Sequence, residues 1–127
     1  MAVENFHVDL TFPANADLST HQYKWVKMAT GGKVDICSAI TDIPVGILQN
    51  KPTANQAASV RVLGVSKLKA GGTITVGSML GTDAAALGKA LVVGDTTQYV
   101  VGQSIAAAVV NDVVQVAVCA LNPTRAN

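Results

Sequence analysis

Charge is scarce in this chain, and aromatic side chains are scarcer still. Lys and Arg number 9 and Asp and Glu 8, so 13% of the 127 residues are charged, where a soluble domain typically carries about 25%. Only 4% are aromatic, against 50% hydrophobic. The net charge of +1 leaves no basic footprint for nucleic acid, and Arg125 is a single charge near the end rather than a tail. No apolar run approaches the roughly 18 residues of a membrane-spanning helix; the longest, 105–121, is interrupted by Asn111, Asp112 and Gln115. The opening MAVENFHVDL lacks a basic n-region and an apolar h-region, so the expectation is a chain made in the cytoplasm. Cys37 and Cys119 are the two cysteines. Both stand in apolar, strand-like stretches and read as buried thiols; a bond between them stays open if their strands are neighbours. No further Cys or His stands at a metal-ligand spacing. A surface this poor in charge implies cover, and sister subunits are the natural cover.

Chemistry is missing as well. Gly72-Thr-Ile-Thr-Val-Gly77-Ser78 has the glycine spacing of a phosphate loop but lacks its lysine, and no helix pattern follows. Ser66-Lys-Leu-Lys69 fits the S-x-x-K pattern, which needs a helix to bring serine and lysine together; here it ends a strand. His7 and Asp9 fall on one face of a strand and read as a surface pair. His21 stands in another segment, without acid or cysteine partners. No catalytic residue, cofactor or metal is expected.

What the chain does have is a Gly-punctuated series of short apolar runs. Turn signals recur about every ten residues, which argues for an all-β domain. The expectation is a small compact β-barrel or sandwich of about 8–10 short strands, with at most one short helix. Alternation marks strands at 23–28 and 33–37 around Gly31-Gly32, at 45–48, and at 57–64, where Gly64 signals a bulge or a close approach. Ile74 and Val76 read as inward-facing, 77–86 as irregular, and 82–90 (TDAAALGKA) as the one helical competitor. Strands follow at 88–93 and 98–105 around a turn at 94–97, and Val113–Leu121 is a long valine-rich strand stopped by Pro123. Residues 1–15 read either as a first barrel strand or as an extended arm. Their Phe6, Val8, Leu10 and Phe12 alternate, so both phenylalanines are either interface anchors or ordinary core. The domain proper spans 16–122, and 123–127 is a loose tail.

One resemblance goes further. Residues 17–27 (DLSTHQYKWVK), Gly32-Lys-Val, 45–52 (VGILQNKP), 57–67 (AASVRVLGVSK) with Ala70-Gly-Gly, and the closing 98–106 resemble small capsid decoration, or cement, proteins of tailed phages. The resemblance spans roughly residues 16–121, and 45–52 is its most specific part. It implies a β-rich structural subunit, a homotrimer on the outer face of a phage head, bound to the major capsid protein and stabilising the shell. It implies no catalytic residues. Phe6, Val8, Leu10, Phe12 and Trp25 are the expected contact residues. The alternative is a small ligand- or carbohydrate-binding module, for which Tyr23, Trp25 and Tyr99 are the available aromatics.

Overall fold

The computed structural model describes residues 6–92, 97–121, 124 and 125. Most of the turn expected at 94–97, and the stop at Pro123, lie outside the described residues. Eleven strands are described: β1 (Val8–Pro13), β2 (Trp25–Ala29), β3 (Lys33–Ile36), β4 (Gly46–Leu48), β5 (Ala57–Lys69), β6 (Met79–Thr82), β7 (Gly88–Leu91), β8 (Tyr99–Val100), β9 (Gly102–Ser104), β10 (Val113–Cys119) and β11 (Thr124–Arg125). Among the described residues there is no helix. All the strand pairings are antiparallel, and nine strands form one curled sheet in the order β3-β2-β4-β5-β10-β9-β6-β7, with β1 on β5. The sheet makes a half-barrel, as the turn spacing predicts.

The 13-residue β5 organises the fold. Its first half pairs with β1, from Pro13↔Ala57 to Val8↔Leu63. Its second half pairs with β10, from Cys119↔Leu63 to Val113↔Lys69. Two buried clusters follow from this division. Ala58, Val60 and Val62 join Val26, Val34, Leu48, Ala14 and Leu18 in one. Leu68 joins Trp25, Ile47, Leu80, Val101, Val114 and Val116 in the other. β4 serves both, with Ile47 on one side and Leu48 on the other, because successive strand residues point to opposite faces.

Gly64 lies where the halves of β5 meet. Its φ of +116° is a region that side chains rarely adopt. A Cβ there would stand 2.6 Å from both the Phe6 carbonyl oxygen and the His7 Cβ. The β1 register shifts beside it, between Val8 and Asp9. The expected bulge and the expected close approach are therefore both present. β5 runs on past the sequence-based end at Gly64 because a glycine here bends the strand instead of stopping it.

Other expectations need correction. Residues 82–90 form a hairpin, not a helix. The Asp83 carboxylate accepts the N–H groups of Ala85 (2.8 Å) and Leu87 (2.9 Å), the competition between a short polar side chain and the helix that such residues set up. Met79–Thr82, expected to be irregular, is β6. Val76 is 68% exposed while Ile74 is buried, because 74 makes a single bridge to Ala108 and the chain then turns. Cys119 is exposed on β10 and only Cys37 is buried; both are free. Thr124 and Arg125 are no loose tail, since they pair with Val100 and Tyr99. Val8–Pro13, the described heart of the segment 1–15, lies along β5 as a sheet strand, so at 8–13 the strand reading prevails over the free arm.

Gly64→Ala is expected to destabilise the domain by about 2 kcal/mol, from the unfavourable φ plus the clash with β1. Urea denaturation measures this; a variant as stable as wild type would refute the account of the β5 bend.

Candidate interaction surfaces

Several titratable groups are engaged in holding the fold. Asp42 accepts from Lys27 Nζ (2.9 Å) and from the backbone N–H groups of Ser38 (2.8 Å) and Ala39 (3.0 Å), which pins the loop between β3 and β4. Burial alone would raise its pKa; the Ser38 N–H, the Lys27 ammonium and the Ala39 N–H outweigh that and hold it below the ordinary 3.8. Arg61 and Asp9 face each other across β5 and β1. The guanidinium donates Nε to Oδ1 at 2.8 Å and Nη2 to Oδ2 at 3.1 Å, a fork that matches a carboxylate and lowers the Asp9 pKa. His7 Nε2 stands 3.9 Å from the same carboxylate, the surface pair expected from the sequence. Burial and the Lys24 ammonium lower the His21 pKa; Lys24 Nζ donates to His21 Nδ1 at 3.1 Å.

The nucleophile candidates are occupied too. Burial, reinforced by the nearby Asp42 carboxylate, pushes the Cys37 thiol up to about 12, far from the thiolate that reactivity requires. Ser66 is buried, accepts from Gln49 Nε2 (2.8 Å) and donates to the Lys67 carbonyl (2.9 Å). It lies inside β5, so Ser66 and Lys69, three apart, point to opposite faces. Among the described residues no three His, Cys, Asp or Glu side chains gather as a metal site.

The contact residues expected from the sequence separate into two groups. Phe6 is 78% exposed and Leu10 40% exposed; Val8 and Phe12 are half-buried and pack on the β5 cluster. Val8, Leu10 and Phe12 lie on β1, and Phe6 precedes it. Trp25 does not join them: it is fully buried in the other cluster, with its ring tip over Gly102, where a Cβ would come within 3.6 Å. It is a core residue because the start of β2 is covered on both faces, with Trp25 in one cluster and Val26 in the other, which the alternation of Tyr23, Trp25 and Lys27 alone does not reveal. Its Nε1, buried without a hydrogen-bond partner among the described residues, makes the site costly, and burial of the large ring offsets that.

A second surface escaped the sequence reading. The segments 73–82 and 97–121 contain a single charged residue, Asp112, and they lie side by side. Ile74 and Ala108 exchange N–H···O bonds at 2.9 Å, Gly77 N–H donates to Ser104 O and Ser104 N–H to Ser78 O, each at 2.9 Å. Their junction leaves Val76, Met79, Ile105, Val109, Val110 and Val113 exposed at 46–68%. On β10 the buried valines 114, 116 and 118 alternate with exposed Val113, Gln115, Ala117 and Cys119, so the outward face of this strand is also uncharged. The available signal was this charge-free stretch, since a strand apolar on both faces reads as one covered on both faces.

The three aromatics named for a sugar-binding module differ in exposure. Trp25 is buried, Tyr23 and Tyr99 are half-buried, and the Lys67 ammonium sits 5.6 Å from the Tyr23 ring centroid.

Neither a family model nor a curated protein matches the chain. Among solved structures it is similar to the crystal structure of the N base of head fiber gp8.5 of bacteriophage phi29, with a TM-score of 0.69 and 18% identity over 91% of this chain and 96% of that one. At that identity the shared property is the fold.

Asp42→Asn is expected to weaken the fold at neutral pH by about 2 kcal/mol through loss of a charged acceptor. Because the folded-state pKa of Asp42 is lowered, its contribution is present above the ordinary 3.8 and is lost as pH falls through the folded value. Stability curves of wild type and variant should therefore converge below pH 3.8; parallel curves down to strong acid would contradict the role given to this carboxylate.

Proposed function

We propose that this chain is a structural subunit of a tailed-phage head, bound to the outside of the shell and stabilising it without catalysis. The observation that carries the reading is the fold likeness to a head fiber base along nearly the whole of both chains. The engaged Asp9 and Asp42 carboxylates, the Cys37 thiol held protonated by burial and the buried Ser66 support it, because the groups the sequence offered for chemistry serve the fold instead. The decoration-protein resemblance of residues 16–121 points the same way.

In this reading the partner is the major capsid protein, the working unit is a homotrimer, and the location is the virion. Repetition suits such a role: many modest contacts across a lattice stabilise the assembled state by mass action. The surface proposed to face the shell is the β1 side, where Phe6 and Leu10 are exposed beside Val8 and Phe12. The Asp9–Arg61 fork, on the other face of β1 from Leu10 and Phe12, fixes this strand to β5.

The test is binding to purified heads that lack this protein, followed by cryo-electron microscopy of the decorated particles. Density for the domain on the outer surface, and heads that survive heating or low salt better with it, are the expected results. Phe6→Asp with Leu10→Asp should reduce head binding by at least about tenfold, since interface anchors carry most of the energy, and leave the fold intact. Wild-type protein that fails to bind heads would overturn the proposal.

A further inference from the structure

We propose that the polar groove beside the β5 bend binds an acidic sugar: one ring bearing a carboxylate among hydroxyl groups, free or within a polysaccharide. This is a ligand site in addition to the proposed function, and it stands or falls independently of head binding.

The groove has a volume of about 390 Å³ and is lined by His7, Tyr23, Gln49, Arg61, Lys67 and Gln115. That lies near the lower end of the range of about 300–1,000 Å³ for ligand pockets, which suits a single ring. Its walls are held by bonds within the domain. Gln49 Nε2 donates to the buried Ser66 Oγ at 2.8 Å and to the Ile47 carbonyl at 3.1 Å. Arg61 is engaged by Asp9 and by the Val65 carbonyl, to which Nη1 donates at 2.9 Å. The Tyr23 N–H donates to the Leu48 carbonyl, and the Tyr23 carbonyl accepts from the Lys69 N–H, each at 2.8 Å. These two bonds hold Tyr23 at a φ of +65°, which bulky residues rarely adopt. Such strain persists where the surroundings over-determine it, and it clusters at ligand sites. Here it brings a tyrosine to the wall of the groove.

The groups left over define the ligand. Among the described residues no carboxylate stands at ion-pair distance from Lys67, whose ammonium lies 5.6 Å from the Tyr23 ring centroid. Gln115, opposite Lys67 on the β5–β10 ladder, is exposed, and among the described residues neither its amide nor the Tyr23 hydroxyl makes a hydrogen bond. Because Asp9 balances Arg61, Lys67 gives the groove one surplus positive charge. One ammonium matches one carboxylate. The Gln115 amide, the free Oε1 of Gln49 and the Tyr23 phenol match hydroxyl groups, which both donate and accept. A plain carboxylate leaves the amides unanswered, a neutral sugar leaves the ammonium unanswered, and a phosphate dianion brings more charge than the groove balances.

The experiment is titration of the isotope-labelled full chain with sodium glucuronate and with oligogalacturonate, followed by backbone amide chemical shifts at constant ionic strength. Glucose, acetate and inorganic phosphate are the controls. Saturable shifts around Tyr23, Lys67 and Gln115 are expected for both acidic sugars, with binding of each control at least about tenfold weaker, since each lacks the charge, the hydroxyls or the matching charge number. Lys67 and Gln115 are exposed on different strands, so Lys67→Met and Gln115→Leu should melt with wild type. The first should weaken glucuronate binding by at least about tenfold and the second by about fivefold, as loss of a charged and of a neutral hydrogen bond predicts. Tighter binding of the oligomer than of glucuronate assigns the sugar to a polysaccharide, and equal binding assigns it to the free form. The proposal is overturned if neither acidic sugar gives saturable shifts, if acetate or phosphate binds as tightly as glucuronate, or if folded Lys67→Met binds glucuronate unchanged.

Discussion

The bend of β5 at Gly64 is the constraint on which the rest of the structure depends. A straight 13-residue strand would present one face to one core. This one changes partners halfway, from β1 to β10, and so belongs to two clusters. The change requires backbone where a side chain would otherwise stand, and Phe6 and His7 fill that space. The β1 edge is therefore fixed to the domain by a glycine as much as by the Arg61–Asp9 fork. In a domain of this size, with neither disulfide nor helix among the described residues, such sharing of one strand lets two small cores act as one cooperative unit.

The sequence disclosed period but not cover. Alternation located β2 and β3, apolar runs bounded by turn signals located β4, β5, β7 and β10, and paired glycines located the β2–β3 turn, where Gly31 and Gly32 both take positive φ. These signals are local, and local chemistry decides them. The failures share a different cause. Trp25 was expected to be a contact residue, yet the start of β2 is buried on both faces, Trp25 on one and Val26 on the other, by segments far away in sequence. Cys119 looked buried because its neighbours are apolar, yet it falls on the outward register of β10. At 82–90 the alanines favour a helix, and one carboxylate, Asp83, defeats it by taking two backbone N–H groups. Which face a strand turns to water is a tertiary property, and no window of ten residues contains it.

The same distinction governs the exposed apolar surfaces. Phe6 and Leu10 were picked out because they alternate with polar residues along an expected arm, and the fold leaves both exposed. The valine-rich end was not, since valines in a valine-rich strand look like core. The scarcity of charge was the useful clue, but it pointed to the chain as a whole. Only the pairing of 74–78 with 103–108 shows that the uncharged residues converge on one end.

That convergence bears on what a domain of this shape offers when it is repeated. The Lys27–Asp42 and Arg61–Asp9 pairs hold the β3–β4 loop and β1 in place, and such charged contacts fix orientation. The exposed valines of the 105–113 segment offer contact that is non-directional and proportional to area. Under the proposed function neither kind of contact has to be strong in one copy, because linked contacts of modest strength exceed a single strong one once geometry lets them engage at the same time.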